Sequence, residues 1–253
     1  MDFDKFLLFG DSITQFSSGR CETVEQAADI DEFSLGSGLG AVYNRKLDVV
    51  VRGFSGYNTR WGLPILEAIL AAERESRSKN HQGRIVMSTV FFGSNDSVSS
   101  GPQRVPLDEF GKNVRCMITK LQELDIKPVL VTPARVEPNQ WAENFQQDKE
   151  NGYIRSDVFY KEYRDQLLKL GEEFNVPVVD LYAAFASENV SELLTDGVHF
   201  TGKGYRVFFK ALMDTIAKHY PEMTPQALPF HLPYWRDVTE DETSVLVALN
   251  RDY

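Results

Sequence analysis

The chain has 253 residues, 42% hydrophobic and 25% charged, so it is long enough to bury one large core as a single domain. Its formal net charge of −10 opposes binding to nucleic acid and to anionic membrane surfaces, and a small neutral ligand is expected instead. No apolar run is long enough to span a bilayer, so stable membrane insertion is not expected.

The cysteines and the amino-terminal sequence both indicate an intracellular location. Cys21 and Cys116 have neither the spacing of a metal site nor that of a disulfide framework, so both are predicted to be free thiols. The chain enters its first apolar run after five residues, without the basic region, hydrophobic segment and cleavage site of a secretory signal. A cytoplasmic protein is therefore expected.

The first predicted strand, residues 6–9, is apolar at every position, which is typical of a strand buried on both faces of a parallel sheet. It breaks at Gly10, which is followed by Asp11 and Ser12. Because ligands gather at the carboxyl ends of such strands, Ser12 is a candidate nucleophile. The alternative is a plain strand, turn and helix cap, since Asp11 and Ser12 also suit the start of a helix.

The next predicted element is a helix over residues 33–47, and it contains glycines that fit the letters of a dinucleotide-binding fingerprint. These are Gly36, Gly38 and Gly40, followed by Ala41. The fingerprint requires a hydrophobic strand immediately before it, and residues 28–33 are largely polar and acidic. Small residues that allow close helix packing are the favoured interpretation, and a non-catalytic nucleotide-binding module is the alternative.

Four more strands alternate with helices along the rest of the chain. The third strand is the longest apolar run and is predicted to be central. Such alternation predicts an α/β fold with a parallel sheet and right-handed crossovers, in three α/β/α layers. The predicted strands are 48–52, 84–92, 129–132 and 176–181, and the predicted helices are 60–77, 107–124, 157–174 and 203–219.

Two further segments are predicted to be irregular. Residues 133–153 form a polar insertion that holds Trp141 and Phe145, and we expect it to cover the site as a flap. Helix 203–219 is expected to be the last regular element, which gives a domain of residues 1–220 and a tail of residues 221–253. We expect the tail to pack on the catalytic face or on a partner subunit, because its aromatic residues form too large an apolar surface to leave in water. These are Phe230, Tyr234 and Trp235.

A serine nucleophile needs a base that is itself held by a third group. Of the four histidines, His199 follows an Asp-Gly turn and has Asp196 three positions before it, a spacing that can place a carboxylate against the imidazole. His81, His219 and His231 lie in a polar loop, at a helix end and in the tail. Taken alone, Asp196 and His199 could equally be a helix cap and a surface histidine.

Four blocks taken together resemble the SGNH (GDSL-type) hydrolase family. They are Gly-Asp-Ser at residues 10–12, Gly56 after the second strand, Gly-Ser-Asn-Asp at residues 93–96 and the Asp196–His199 pair. The resemblance covers residues 6–209. Residues 9–14, 52–57, 93–96, 100–103 and 235–237 are most similar to the isoamyl acetate-hydrolysing esterases within this family. No Gly-x-Ser-x-Gly elbow follows a mid-chain strand, so a classical α/β-hydrolase is not expected.

The resemblance implies a flavodoxin-like fold and a set of roles. Ser12 is the implied nucleophile, His199 the general base and Asp196 its orienting partner. The implied oxyanion hole consists of the Ser12 N–H, the Gly56 N–H and the Asn95 side-chain amide, and Gly53 is a less expected donor than Gly56. Asp11 and Asp96 are expected to tie loops together. One departure is Ile13, where the family name has leucine.

The implied function is hydrolysis of short-chain carboxylic (acetate) esters such as isoamyl acetate, through an acyl-enzyme and without metal or cofactor. The same residues would serve a thioesterase, a lysophospholipase or a carbohydrate acetylesterase, so these activities remain alternatives. The expected partners are a small neutral ester and a second copy of the chain.

Overall fold

The computed structural model describes residues 3–19, 33–78, 83–238 and 243–251, with side chains as far as residue 247. Two residues named above, Cys21 and His81, lie outside these ranges. Cys116 lies within them and is a free thiol, as predicted.

Five parallel strands form a single sheet in the order β2-β1-β3-β4-β5. The longest strand, β3, is central, as predicted. The strand β5 is shorter than its predicted six residues, because Pro177 precedes it and the side chain of Asp180 caps the next helix at Ala183 N. The strands are β1 (Lys5–Gly10), β2 (Asp48–Gly53), β3 (Ile85–Phe91), β4 (Lys127–Val131) and β5 (Val178–Val179).

Helices connect the strands and cover the sheet. In the described chain they are α1 (Ser12–Gln15), α2 (Leu35–Val42), α3 (Thr59–Ser78), α4 (Leu107–Gln122), α5 (Pro138–Asn144), α6 (Gln146–Glu150), α7 (Asp157–Phe174), α8 (Leu181–Ala186), α9 (Val190–Leu193), α10 (Gly202–His219) and α11 (Thr243–Arg251). The long predicted helices are confirmed with small shifts of their ends. The helix predicted over residues 33–47 ends at Val42, because Arg45 adopts a φ of 62°, which an α-helix cannot contain.

The apolar strands separate two cores. In β1, Phe6 and Leu8 face a cluster with α2 and α10, whereas Leu7 and Phe9 face a cluster with α3, α4 and α7. Successive side chains of a strand point to opposite faces, so an uninterrupted apolar run must be covered on both sides. Each buried ring or leucine contributes roughly 1.5–3 kcal/mol through its apolar area. The three-layer α/β/α prediction is confirmed.

The insertion and the tail contain more regular structure than predicted. Residues 133–153, expected to be irregular, include the short helices α5 and α6. The expectation that helix 203–219 is the last regular element is wrong, because α11 follows it. Glu137 caps α5 through Gln140 N, at 2.6 Å, and Pro138 occupies its first turn, where a missing N–H is harmless.

The described part of the tail binds at the edge of the sheet where β1 and β2 begin. Tyr43 donates a hydrogen bond to the Met223 carbonyl at 2.9 Å, Arg45 donates to the Leu232 carbonyl at 2.8 Å, and the His231 ring stacks on Phe3. This edge lies opposite the carboxyl ends of the strands, where the candidate site residues are expected, so these contacts differ from the expected packing of the tail on that face. The three tail aromatics expected to be covered are exposed in the single chain: Phe230 by 51%, Tyr234 by 43% and Trp235 by 65%.

Candidate active site

Ser12 lies at the carboxyl end of β1, as the first residue of α1. The carboxylate of Asp11 caps this helix by accepting a hydrogen bond from Ile13 N at 3.0 Å. The cap fixes the turn between strand and helix, so the hydroxyl of Ser12 has a defined direction. Ser12 is largely buried, with its Oγ bonded to one other side chain, His199.

The segment before α10 brings the histidine to this serine. A short antiparallel bridge between Leu194 and Phe200 closes the turn. Within it, Asp196 Oδ1 accepts hydrogen bonds from Val198 N at 3.1 Å and from His199 N at 2.9 Å, so the carboxylate cannot rotate freely. An Asp-x-x-His spacing in a turn therefore fixes both the acid and the ring that it holds.

Ser12, His199 and Asp196 form one chain of hydrogen bonds. His199 Nδ1 lies 2.8 Å from Asp196 Oδ2, and His199 Nε2 lies 2.9 Å from Ser12 Oγ. A carboxylate only accepts, so Nδ1 carries the proton and Nε2 is free to accept the serine proton. The predicted three residues are brought together in the geometry of a nucleophile, a base and an orienting acid.

The ionised form of Asp196 is stabilised by its hydrogen-bond donors. Burial alone would raise the pKa of Asp196, but the hydrogen bond and charge of His199 and the N–H groups of His199 and Val198 hold that pKa well below its usual range. Asp196 therefore remains ionised at neutral and mildly acidic pH. An ionised partner keeps the imidazole in the tautomer described above.

Aromatic rings surround the imidazole. The Phe16 ring meets His199 edge-on at a centroid distance of 5.4 Å, and the Phe145 ring of the insertion lies at 6.4 Å. Trp141, also in the insertion, packs with Val198 in a small buried cluster. The insertion thus lies over the Asp196–His199 turn, which is the position expected of a cover.

Gly56 and Asn95 lie in a second network on the neighbouring loops. Asn95 Nδ2 donates to the carbonyl of Tyr57 at 2.7 Å, and Gln103 Nε2 donates to the carbonyl of Gly56 at 2.8 Å. Gly56 has a φ of 78°, a conformation that disfavours any other residue. The loop after β2 is joined to the first strand by the hydrogen bond from Phe54 N to the Gly10 carbonyl at 3.0 Å.

Gly53 has a different position from Gly56. It is the last residue of β2, paired in register with Gly10, and a Cβ there would lie 1.9 Å from the backbone nitrogen of Gln15. A glycine is therefore required at position 53 so that α1 can pack against β2.

Asp11 and Asp96 are both buried, but only Asp96 joins separate segments as expected, whereas Asp11 caps α1 through Ile13 N. Asp96 accepts from Thr59 N at 2.9 Å and from Gly93 N at 3.1 Å. Burial raises the pKa of Asp96 to about 6 against the lowering effect of these bonds. Burial raises the pKa of Asp11 to about 7, and Asp11 Oδ2 has no hydrogen-bond partner.

The remaining candidates lie elsewhere. His219 is at the end of α10, and His231 bonds to the Lys46 carbonyl at 3.1 Å on the opposite edge of the sheet. The fingerprint glycines are inside α2, where a Cβ on Gly38 would lie 2.7 Å from the Phe33 ring. Gly36 and Gly38 permit close packing of the helix, a Cβ on Gly40 would point into open space, and none of the three is in a strand-to-helix turn.

Comparison with known proteins decides the family. The GDSL-like Lipase/Acylhydrolase family model matches residues 6–212, which is most of the chain. The chain belongs to this family. It is a carboxylic ester hydrolase, and the resemblance to SGNH (GDSL-type) hydrolases stated above is confirmed.

Curated relatives match this family member over nearly its whole length. An isoamyl acetate-hydrolyzing esterase of Saccharomyces cerevisiae is 40% identical over 249 residues, covering 97% of this chain and 100% of the yeast protein. A human protein described as isoamyl acetate-hydrolyzing esterase 1 homolog is 35% identical, covering 98% of this chain and 94% of its own.

Solved structures share the fold of this GDSL-like enzyme. The crystal structure of a lipase/acylhydrolase from Enterococcus faecalis has a TM-score of 0.63 at 22% identity and covers 90% of this chain and 98% of its own. An acetyl xylan esterase has a TM-score of 0.59 at 21% identity, covering 84% and 99%. Within the described residues, no helix is both long and apolar enough to cross a membrane.

Proposed function

We propose that this GDSL-like enzyme is a serine esterase that hydrolyses short-chain carboxylic esters, acetates such as isoamyl acetate among them, through an acyl-enzyme. One observation carries the proposal: the continuous chain of hydrogen bonds from Ser12 Oγ through His199 to Asp196. The yeast relative, whose name states hydrolysis of isoamyl acetate, supports the substrate class.

In the proposed first step, Ser12 Oγ attacks the ester carbonyl carbon while His199 Nε2 takes its proton. The tetrahedral oxyanion then re-forms the carbonyl, and the carbon–oxygen bond to the alcohol breaks as His199 returns the proton to the leaving oxygen. A water molecule repeats the sequence on the acyl-serine and releases the carboxylic acid. Asp196 stays ionised throughout and stabilises the imidazolium.

The proposed oxyanion hole has three donors: the Ser12 N–H, the Gly56 N–H and the Asn95 side-chain amide. The Ser12 N–H is in the first turn of α1, where helical N–H groups have no acceptor within the helix. Asn95 Nδ2 has two protons, and the bond to the Tyr57 carbonyl uses one. A neutral amide can donate the other without any change of charge at the site.

The aromatic surroundings support a neutral, apolar ester. The rings of Phe16 and Phe145 border the base, and a second aromatic group borders the loop that carries Gly56. In that group Tyr57 packs against Phe54 and against Trp61, with centroid distances of 5.6 Å and 5.7 Å. Apolar walls favour the hydrocarbon part of an ester over a charged substrate.

Trapping the intermediate tests this proposal. A fluorophosphonate probe should label the wild-type enzyme on the peptide containing Ser12, and p-nitrophenyl acetate should give an added acetyl mass on the same peptide after rapid acid quench. Ser12→Ala should show neither modification, and Ser17→Ala, which changes another buried serine nearby, should show both. Labelling of a different residue, or turnover by Ser12→Ala, would overturn the assignment.

A chain-length series distinguishes the alternatives within the family. Rates on p-nitrophenyl esters from acetate to octanoate should be highest for acetate and fall as the acyl chain lengthens. Higher activity on acyl thioesters, lysophospholipids or acetylated sugars than on isoamyl acetate would replace the proposed substrate by one of those classes.

We also propose a cytoplasmic location and a homodimer. The free thiol of Cys116 supports a reducing compartment, and the exposed Phe230, Tyr234 and Trp235 support a contact with a second copy. Elution at the monomer mass from a calibrated sizing column at micromolar concentration would argue against the dimer.

A further inference from the structure

A buried arginine lies directly beneath the proposed oxyanion donors. Arg155 follows the two short helices of the insertion and is only 7% exposed. Its guanidinium donates to the Ser94 carbonyl, to Asn95 Oδ1 at 2.9 Å and to Gln103 Oε1 at 3.3 Å. Burying a cation is costly. The acceptors bonded to this guanidinium are neutral, and its charge also acts on the buried Asp11, on whose pKa it has a lowering effect.

The guanidinium determines which end of the Asn95 amide faces the substrate. A guanidinium has only donors, so the group that faces it must be the amide oxygen. With Oδ1 on Arg155, Nδ2 must point away, where it donates to the Tyr57 carbonyl and retains one free proton. If the Asn95 amide were flipped, its NH₂ group would face the N–H groups of Arg155, and its oxygen would face the developing oxyanion.

The same guanidinium reaches the second loop through Gln103. Gln103 Oε1 accepts from Arg155, and its Nε2 donates to the Gly56 carbonyl at 2.8 Å. This places one charged group in contact with both Asn95 and the residue that holds Gly56. Gln103 is in the sequence segment 100–103, for which the proposed mechanism has no other use.

We propose that Arg155 is a positioning residue for the oxyanion hole: it fixes the orientation of the Asn95 amide directly and that of Gly56 through Gln103. This inference rests on the proposed function, because it takes Asn95 and Gly56 as oxyanion donors. It also gives the insertion of residues 133–153 a second function, because the segment that covers His199 leads directly into Arg155.

Arg155→Lys is the principal test. A lysine keeps the charge but offers a single ammonium that cannot reproduce the fork of donors to Asn95 and Gln103. With p-nitrophenyl acetate we expect kcat to fall about 10–100-fold and KM to change less than about 3-fold, because the oxyanion exists only in the transition state. Unchanged kcat, or a change in KM alone, would overturn the proposal.

The matched control is Arg135→Lys. Arg135 belongs to the same insertion but bonds to Asp157 at 2.7 Å and to Tyr182, away from the oxyanion loops. The Arg135→Lys variant should keep kcat within about 2-fold of the wild-type value even if its melting temperature falls. If both lysine variants lowered kcat equally, the effect would come from a loosened insertion and the proposal would fail.

A double-mutant cycle separates positioning from general destabilisation. In an Asn95→Ala background, Arg155→Lys should lower kcat by a smaller factor than in the wild type, because the amide that it orients directly is gone and only the contribution through Gln103 remains. An undiminished effect in that background would show that Arg155 acts elsewhere. If Arg155→Lys did not fold, Gln103→Met would decide, with an expected loss of about 5-fold or more in kcat and little change in KM.

The outcomes also separate this inference from the function on which it rests. If Asn95→Ala lowers kcat and Arg155→Lys does not, only the positioning of Asn95 by Arg155 is wrong. If Asn95→Ala itself leaves kcat unchanged, the proposed oxyanion hole is wrong whatever Arg155 does.

Discussion

The two edges of the sheet are stabilised in different ways. At the carboxyl edge, ionisable side chains such as Asp11, Asp96 and Arg155 are buried and bond to backbone groups or to side-chain amides. At the amino edge, Arg45 and Lys46 remain partly exposed, bond to tail carbonyls and lie over the Phe230 ring.

Because of this difference, we expect the carboxyl edge to determine turnover and the amino edge to contribute to stability. Burying an ionisable group raises the cost of folding, and groups buried in this way concentrate at functional sites. Partly exposed contacts to backbone carbonyls and rings, in contrast, add modest stability. Substitutions at the carboxyl edge should therefore change kcat more than melting, and substitutions at the amino edge should do the reverse.

The largest effect is expected at Ser12. Ser12→Ala should lower kcat on p-nitrophenyl acetate by a factor on the order of 10⁴ or more, because the covalent route depends on its hydroxyl. Its melting temperature should stay within about 2 °C of the wild type, since one hydroxyl contributes little to stability. A purified variant that retained more than a hundredth of wild-type kcat would contradict the nucleophile assignment.

Asn95→Ala should give the next largest loss. We expect kcat to fall on the order of 10²–10³-fold with a modest change in KM, the range for one oxyanion donor. Asn113→Ala is a suitable control, because this amide donates to Thr59 Oγ1 at 3.2 Å, at the start of α3, and is not a proposed oxyanion donor. A pure KM effect at Asn95 would place it in ground-state binding and remove it from the oxyanion hole.

Asp11 offers a test of the cost of polar burial. The folded protein holds the Asp11 proton up to a pKa of about 7, against an ordinary value of 3.8, so the folded state binds more protons than the unfolded state between these values. Its contribution to the free energy of unfolding is therefore fully present below about pH 4 and is lost as pH rises to about 7. The loss is on the order of a few kcal/mol.

Asp11→Asn should remove that loss. Urea unfolding at pH 5 and pH 8 should show a smaller decline with pH for the variant than for the wild type. The control Asp108→Asn, a change on the exposed surface of α4, should show the same decline in the free energy of unfolding as the wild type. Equal declines in the wild type and Asp11→Asn would show that burial of Asp11 carries no such penalty.

The smallest effect on catalysis is expected from the tail. Deleting the residues after Leu228 removes Phe230 and the His231 stacking on Phe3, so the free energy of unfolding should fall by about 1–3 kcal/mol and the melting temperature by about 2–10 °C. The kcat should stay within about 2-fold. A tenfold loss of kcat at unchanged stability would instead assign the tail to the active site.

A shorter deletion and a sizing column complete that test. Removing only the residues after Val238 keeps Phe230 and His231, so it should lower stability less than the longer deletion. If the longer deletion eluted as a monomer and the intact protein as a dimer, the tail aromatics would form the subunit contact.

Local patterns in the sequence were sufficient to predict the strands and the long helices, whereas the three hydrogen-bonded residues were selected by the resemblance of four separate blocks to a known family. The apolar run of β1 and the Asp196–His199 pair each depend on residues that are only a few positions apart in the sequence. The structure of the insertion was missed, because α5 and α6 are too short to show a helical period. Arg155 and the part played by Gln103 were missed for a different reason: Arg155 meets Asn95 60 positions away, and no local pattern marks that contact.

The hydrogen bond between Ser12 and His199 joins residues 187 positions apart. At about 5–20 residues per second, a ribosome needs roughly 10–40 s to add the proposed base after the proposed nucleophile has been made. Throughout that time the nascent chain holds the proposed nucleophile without the proposed base. If the proposed mechanism holds, the growing protein cannot attack cellular esters, and any product terminated before residue 199 is released without hydrolytic activity.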